Sequence, residues 1–420
     1  MAAEATPPRD AAAPPGVGVP PRPQGVGGGF GRLWSAAVVS RFGDALRGAA
    51  LPLLAVELTD SALLVALVTA CGHLPWLLFG LLGGALADRV DQRRAMWTVD
   101  VLRGLLMAAF ALAVWLDRAG IALLLVLAFA LTALQTVFDN AATALLPAVV
   151  PAAALGTANG RLLAGQEAVH RFAGTPLVPV LVGAGAAVPY AVDAVTYLLA
   201  AVLVAGLPHR TAPRPAAARP RTPLRRDIGD GLAALWRDPV LRGVCAATAV
   251  ANTGIGALVA TLVLHLTGWL GAGATGYALA LTAYGAGSVA GGVAAGRVAA
   301  ALGEARTLVG AGLAQAACLA AFGTVRSLPA AGAALAVFGF AGMLWTATEV
   351  TVLQRRSPAG AIGRVSAAFR TLAVSVVPLG AVLGGVLAGS YGMNTPALAA
   401  AALVGLAVLT LGPAARSGIN

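Results

Sequence analysis

Gly83-Gly84-Ala85-Leu86-Ala87-Asp88-Arg89-Val90 returns 208 residues later as Gly291-Gly292-Val293-Ala294-Ala295-Gly296-Arg297-Val298. Leu58-Thr59 returns as Leu266-Thr267 at the same offset. Pro151 with Leu155-Gly156 returns as Pro358 with Ile362-Gly363, one residue closer. Three matches in order at nearly constant spacing describe a chain built twice. Each copy ends an apolar run in a short charged turn, the pattern of helices that cross a bilayer and turn at its surface.

The rest of the chain has the composition this demands. Of 420 residues, 59% are hydrophobic and 11% charged, and the mean hydropathy is +0.84. A soluble domain carries about 25% charged residues. A bilayer core about 30 Å thick needs roughly 20 apolar residues per helix. Runs of that kind cover 33–58, 61–87, 96–116, 121–146, 160–186, 188–207, 240–267, 274–299, 306–325, 328–353, 363–390 and 395–413. The expected fold is therefore an all-α membrane protein with 12 transmembrane helices in two parallel-repeat six-helix bundles. An even number of helices separates the copies, so both point the same way. Residues 1–29 read as a disordered tail, 30–208 as the first bundle, 209–238 as a linker, 239–413 as the second bundle and 414–420 as a second tail.

All 28 basic residues are arginines, and their excess over acidic residues makes the net charge +11. They sit between the apolar runs, which argues for membrane topology and against nucleic-acid binding. Positive residues collect on the cytoplasmic side. With the N-terminus inside, 20 arginines fall on inside segments and two, Arg118 and Arg326, outside. Both termini are thus expected in the cytoplasm. The bias towards Ala, Gly, Pro and Arg points to a GC-rich bacterium, and so to the bacterial inner or plasma membrane as the location.

The first copy of the repeat extends through Asp91-Gln92-Arg93-Arg94. With Gly84 and Asp88 it is similar to the loop motif of the major facilitator superfamily, although Asp91 and Gln92 depart from the usual pattern. The resemblance implies an inside gate of Gly84, Asp88, Arg89, Arg93 and Arg94 closing against Arg364 at the start of helix eleven. Phe138-Asp139, Ala144-Leu145-Leu146-Pro147, Ala158-Asn159, Asp193-Ala194-Val195-Thr196-Tyr197, Gly271 to Tyr277, and Gln354-Arg355 with Pro358 and Gly363-Arg364-Val365 resemble the enterobactin-exporter and macrolide-efflux branch. That resemblance implies alternating access, with a substrate site between the halves near the midplane.

Ionisable residues inside membrane helices are expensive, so each is a functional candidate. Arg41, Asp44 and Arg47 lie within a sector of about 120° on helix one, with Asp44 roughly 16 Å along it. Glu167 and Arg171 are four apart on helix five and face one another. Asp139 and Glu349 lie nearer the cytoplasm, Asp193 near the outer end of helix six. Asp100 and Arg103 read as a solvated pair at the inner membrane face. The candidates for proton coupling or substrate binding are Asp44, Arg41, Asp139, Glu167, Arg171 and Glu349.

Several motifs are set aside. Gly271, Gly273 and Gly276 spell a dinucleotide fingerprint without the strand it needs; a tight turn accounts for them. Cys71, Cys245 and Cys318 lack metal or disulfide spacing. The GxxxG pairs Gly80/Gly84, Gly292/Gly296 and Gly385/Gly389 read as helix-packing surfaces. No catalytic or ATP-binding motif is present, so no cofactor or metal is expected and a proton gradient is the expected energy source. The expectation is a monomeric secondary exporter of a small amphipathic compound such as an antibiotic, siderophore or secondary metabolite. The alternatives are an uptake permease for a small nutrient and a flippase for lipid-like cargo.

Overall fold

The computed structural model describes residues 28–87, 91–150, 155–207, 224–358 and 361–416. Among them there is helix and no strand. The helices are α1 (Gly28–Leu58), α2 (Ala62–Ala87), α3 (Gln92–Trp115), α4 (Ile121–Val149), α5 (Leu155–Val169), α6 (Thr175–Ala184), α7 (Val188–Ala205) and α8 (Leu224–Arg237), then α9 (Pro239–Leu264), α10 (Ala274–Leu302), α11 (Glu304–Thr324), α12 (Leu328–Arg356), α13 (Ile362–Ser375), α14 (Val377–Tyr391) and α15 (Thr395–Arg416). A π turn, His170–Gly174, joins α5 to α6, and α13 continues into α14 through a bend. Eight of the resulting rods are long and apolar enough to cross a membrane. α1 is excluded from that set by Arg32, Arg41, Asp44, Arg47 and Glu57, not by length.

The outer surface is apolar, as a lipid-facing surface must be: Leu105, Val126, Val202 and Leu409 are all more than half exposed. α1 to α7 pack among themselves, and so do α9 to α15. The two groups meet where α14 lies along α2 and where α6 lies along α10. Both seams sit near the face where α1 ends and α2 begins, here the far face. The opposite, terminal face is where α1 begins and α15 ends.

Proline explains the irregular helices. Pro176 has no N–H and cannot continue the α-helical ladder. The backbone answers with the π turn, and the Thr175 hydroxyl donates to the His170 carbonyl at 3.0 Å. Pro378 acts in the same way at the bend between α13 and α14. There the Asn252 side chain donates to the Ala373 carbonyl at 2.7 Å.

Part of the segment expected to be a linker is helix. Leu224–Arg237 forms α8, within which Leu235 is fully buried. Asp238 then caps α9, accepting from Val240 N at 2.8 Å and Leu241 N at 3.1 Å. Asp91 similarly caps α3, accepting from Arg94 N at 3.1 Å, a local role for one of the two residues that depart from the usual motif. Gly271 adopts φ +64° in the turn before α10, as expected of a tight turn. Of the GxxxG residues whose surroundings are described, Gly385 alone lies in a tight helix contact. A side chain at Gly296 or Gly389 would meet open space. The close α10–α12 approach uses Gly287 and Gly291 instead, against the backbones of Ala336 and Phe340.

Gly385 sets the α2–α14 seam. A Cβ there would lie 2.7 Å from the Ala66 Cβ and 2.9 Å from the Leu63 Cα. Gly385→Val is therefore expected to push α2 and α14 apart at a cost of about 1–3 kcal/mol. A cysteine placed at the buried Ala66 should then react faster with a thiol reagent applied from the far face. An unchanged labelling rate would contradict the seam.

Candidate functional site

The first group of helices encloses a charge cluster centred on Arg103 of α3, which is fully buried. Its Nη2 donates to Asp44 Oδ1 of α1 at 2.9 Å and to the Tyr197 hydroxyl of α7 at 2.6 Å. Gln135 Oε1 of α4 also accepts from it. Its Nη1 donates to Asp100 Oδ1 at 3.3 Å. The guanidinium carbon stands 4.0 Å from the centroid of the Tyr197 ring, within cation–π range. One cation thus ties together four helices. The solvated Asp100–Arg103 pair expected at the membrane face is corrected: both residues have 0% exposure, and Arg103 reaches across the bundle.

Asp44 is the common anion. Its Oδ1 accepts from Arg47 Nη2 at 2.9 Å as well as from Arg103, and the Tyr197 hydroxyl donates to the same atom. Arg41 reaches Oδ2 at 3.8 Å from a more exposed position. The one charged face expected on helix one is therefore present, with a partner helix the spacing did not reveal. Asp139 joins through Gln135, whose Nε2 donates to it at 2.7 Å. Asp193, expected near an outer helix end, is fully buried, with Arg47 Nε 3.5 Å from its Oδ2.

A cavity of about 390 Å³ lies between the two groups of helices, with α1, α2, α4 and α6 on one side and α9, α10 and α12 on the other. Its walls are mainly apolar and aromatic, including Leu51, Leu258, Tyr277, Tyr284 and Phe338. Arg47 also lines it. The same guanidinium that holds Asp44 therefore faces the space a ligand would enter. Arg171 pairs with Glu167, as their four-residue spacing implied, and its guanidinium carbon lies 5.2 Å from the Tyr284 ring centroid. Gly285 leaves room for the Arg171 stem on α10.

Arg171 and Tyr284 also border a second cavity of about 300 Å³, lined chiefly by α9, α12 and α13. Glu349 faces it. Its Oε2 accepts from the Thr248 hydroxyl at 2.7 Å and from Trp345 Nε1 at 3.1 Å, two neutral donors. The six candidate residues thus fall into three places: Arg41, Asp44 and Asp139 in the cluster, Glu167 with Arg171 at the wall between the cavities, and Glu349 across from them. Sequence reading missed Arg103, Arg47's link to Asp193, and Tyr197. Among the described residues no group of three His, Cys, Asp or Glu side chains could hold a metal ion.

The gate residues are only partly in view. Asp88 and Arg89 lie outside the described residues, and of Gly84 only its place in α2 is described. Arg93 Nε donates to the Val204 carbonyl at 3.3 Å, and its Nη2 to that of Ala205, so it caps the end of α7. Arg94 lies 3.7 Å from Asp91. Arg364 Nη1 lies 3.4 Å from Asp230 on α8, tying the linker helix to α13.

Comparison with known proteins supplies the family. The family model for the Major Facilitator Superfamily matches residues 33–378. No curated protein matches the sequence. Solved structures with the same fold include a bacterial homologue of the iron transporter ferroportin in an inward-facing state, with TM-score 0.76 and 13% identity over 93% of this chain and 100% of that one. The nucleoside transporter NupG aligns with TM-score 0.75 and 11% identity over 91% and 99%. A bacterial homologue of the human lysosomal transporter Spinster, inward-facing and occupied, aligns with TM-score 0.70 and 13% identity over 92% and 94%.

The cluster makes Asp44 a stability determinant. Asp44→Asn keeps the shape but leaves Arg47 and Arg103 without their shared anion. Breaking a buried ion pair from one side costs about 3–5 kcal/mol. Thermal unfolding of the purified variant in detergent should show a clear fall in melting temperature. A melt matching the unsubstituted protein would contradict the assignment.

Proposed function

The chain belongs to the Major Facilitator Superfamily, and on that premise we propose that it is a proton-coupled exporter of a small amphipathic compound. It is a membrane transporter and not an enzyme; the proposal concerns direction, coupling and cargo. The observation that carries it is the double role of Arg47, which lines the cavity and holds the buried carboxylates. A ligand in the cavity and a proton in the cluster then act on one side chain. That is what exchange requires: binding at one site must change the free energy at the other.

In this reading the rods form twelve spans, in bundles 30–208 and 239–413 joined by the linker 209–238. The arginine distribution puts the terminal face in the cytoplasm of a bacterium, with both termini inside. The sealed α2–α14 and α6–α10 seams then close the outside, and the cavity serves the inside. The loop of Gly84, Asp88, Arg89, Arg93 and Arg94 closes the inner side when α13 swings Arg364 towards it. The apolar body of the cargo lies on Tyr277, Tyr284 and Phe338. A cationic group, where present, goes to Glu349, whose hydrogen-bond donors Thr248 and Trp345 are neutral. Asp44, Arg41, Asp139, Glu167 and Arg171 are the remaining coupling or substrate residues. The protein acts as a monomer powered by the proton gradient, in the manner of the enterobactin-exporter and macrolide-efflux branch that its motifs resemble.

Two experiments test this. The first uses a reporter active only outside the cytoplasm, fused at Asp117 or at Arg219. Activity at Asp117 and silence at Arg219 is expected; the reverse would overturn the orientation. The second measures the pH gradient in inside-out vesicles as cationic amphipathic dyes and antibiotics are added. At least one compound should dissipate the gradient, and Glu349→Gln should weaken that response for cationic compounds. Vesicles that take up compounds only down the opposite gradient would favour import.

A further inference from the structure

The buried cluster has one acid too many. Asp44, Asp100 and Asp193 are enclosed together with Arg47 and Arg103. Outside this set, Arg41 approaches Asp44 from one side and Asp139 joins through Gln135 from another, one base against one acid. Full ionisation would leave an uncompensated negative charge in a setting that penalises it strongly. A proton on one of the three carboxyls restores balance.

Geometry distinguishes the three. Asp44 Oδ1 accepts from two guanidiniums and a phenol, an arrangement suited to an anion. Asp100 Oδ1 accepts a charge-assisted hydrogen bond from Arg103 at 3.3 Å, although its Oδ2 is buried without a partner. Asp193 accepts none from a charged group. Arg47 Nε stands 3.5 Å from its Oδ2, yet both atoms are buried without a hydrogen-bond partner. The Thr196 hydroxyl donates to the Asp193 main-chain carbonyl at 2.7 Å and lies 3.5 Å from its Oδ1. Gly43 of α1 makes the slot for this carboxyl: a Cβ there would collide with the side chains of both Asp193 and Thr196. The charged groups facing Asp193 are Arg47 and Asp44 from α1 and Arg103 with Asp100 from α3. α6, which also packs on α7, brings none.

We infer that Asp193 holds the proton exchanged for substrate and that Arg47 is the arm that governs its release. The inference rests on the exporter reading for its role in transport, but the proton site stands on the cluster alone. With the carboxyl protonated, Arg47 remains on Asp44, as the structure has it. A cation arriving in the cavity repels Arg47 towards Asp193. The carboxyl O–H then breaks, its proton passes to water in the cavity, and the guanidinium compensates the carboxylate left behind. Departure of the cation reverses the sequence. Asp193 is therefore protonated only when the cation is absent and is paired with Arg47 only when it is present, which is the condition for exchange.

The test is infrared spectroscopy of the purified full chain in lipid nanodiscs at neutral pH, with no ligand added. A protonated buried carboxyl has a C=O stretch separate from the carboxylate bands. The unsubstituted protein should show one such band, Asp193→Asn should lack it, and Thr196→Val, which removes the hydroxyl 3.5 Å from Asp193 Oδ1, should shift its frequency. Melting gives an independent check. Asparagine replaces a neutral group at Asp193, so Asp193→Asn should melt close to the unsubstituted protein and well above Asp44→Asn. A band that survives in Asp193→Asn, a band left unmoved by Thr196→Val, or a melt as low as that of Asp44→Asn would overturn the inference. If the unsubstituted protein shows the Asp193 band yet no compound moves protons in vesicles, the exporter reading fails and the proton site remains.

Discussion

Everything in the first bundle is arranged around the cost of keeping Arg103 away from water. A buried ion costs several kcal/mol even after its surroundings relax, and a guanidinium has five donors to satisfy. Here α1, α3, α4 and α7 each bring an acceptor to it: Asp44, Asp100, Gln135 and Tyr197. The helices cannot slide independently without stranding a charge. The cluster couples these four helices to one another. Its weakest link is the 3.5 Å approach of Arg47 to Asp193, the member of the cluster that also faces the cavity.

The second bundle solves its packing differently. Its close approaches rest on small residues rather than charge. Gly380 and Gly384 bring α14 onto the backbone of α9, and Gly287 and Gly291 bring α10 onto α12. Without a hydrophobic driving force between helices in lipid, such close contact supplies the association energy. Charge is sparse there, and Glu349 stands out because of it. The two sides therefore differ: one holds a buried charge cluster, and the other lines its cavity with Glu349 and Arg370 as its charged residues. The bends at Pro176 and Pro378 border the cavities at Thr175 and Val374, so the irregular backbone lies where the lining needs to change shape.

The helical layout was legible because a bilayer imposes one length and one composition on every span. The apolar runs match the helices to within a few residues, and the arginines mark the turns. α8 was obscured by the prolines and arginines of its surroundings, although Ile228, Leu232 and Leu235 carried the helical spacing. The charged face of α1 and the Glu167–Arg171 pair were also readable, because both are set by local periodicity. Arg103 was not. Its near neighbour Asp100 made a plausible surface pair, whereas its partners Asp44 and Tyr197 lie 59 and 94 residues away. Such contacts depend on how helices pack, and no local spacing encodes them. Asp193 does lie near the outer end of its helix, but its enclosure was not legible, because position along a helix gives depth alone.

Arg47 joins the carboxyl cluster to the cavity between the two groups of helices, so a change in the cluster's protonation should move one group relative to the other. Spin labels at Leu163 on α5 and Ile362 on α13, both exposed, would report the separation of the bundles near the terminal face. Double electron–electron resonance in nanodiscs would follow that distance between acidic and alkaline buffer. The account expects the distance distribution to shift with pH in the otherwise unsubstituted protein and to remain fixed when Arg47→Gln is added. An equal shift in the Arg47→Gln protein would contradict it.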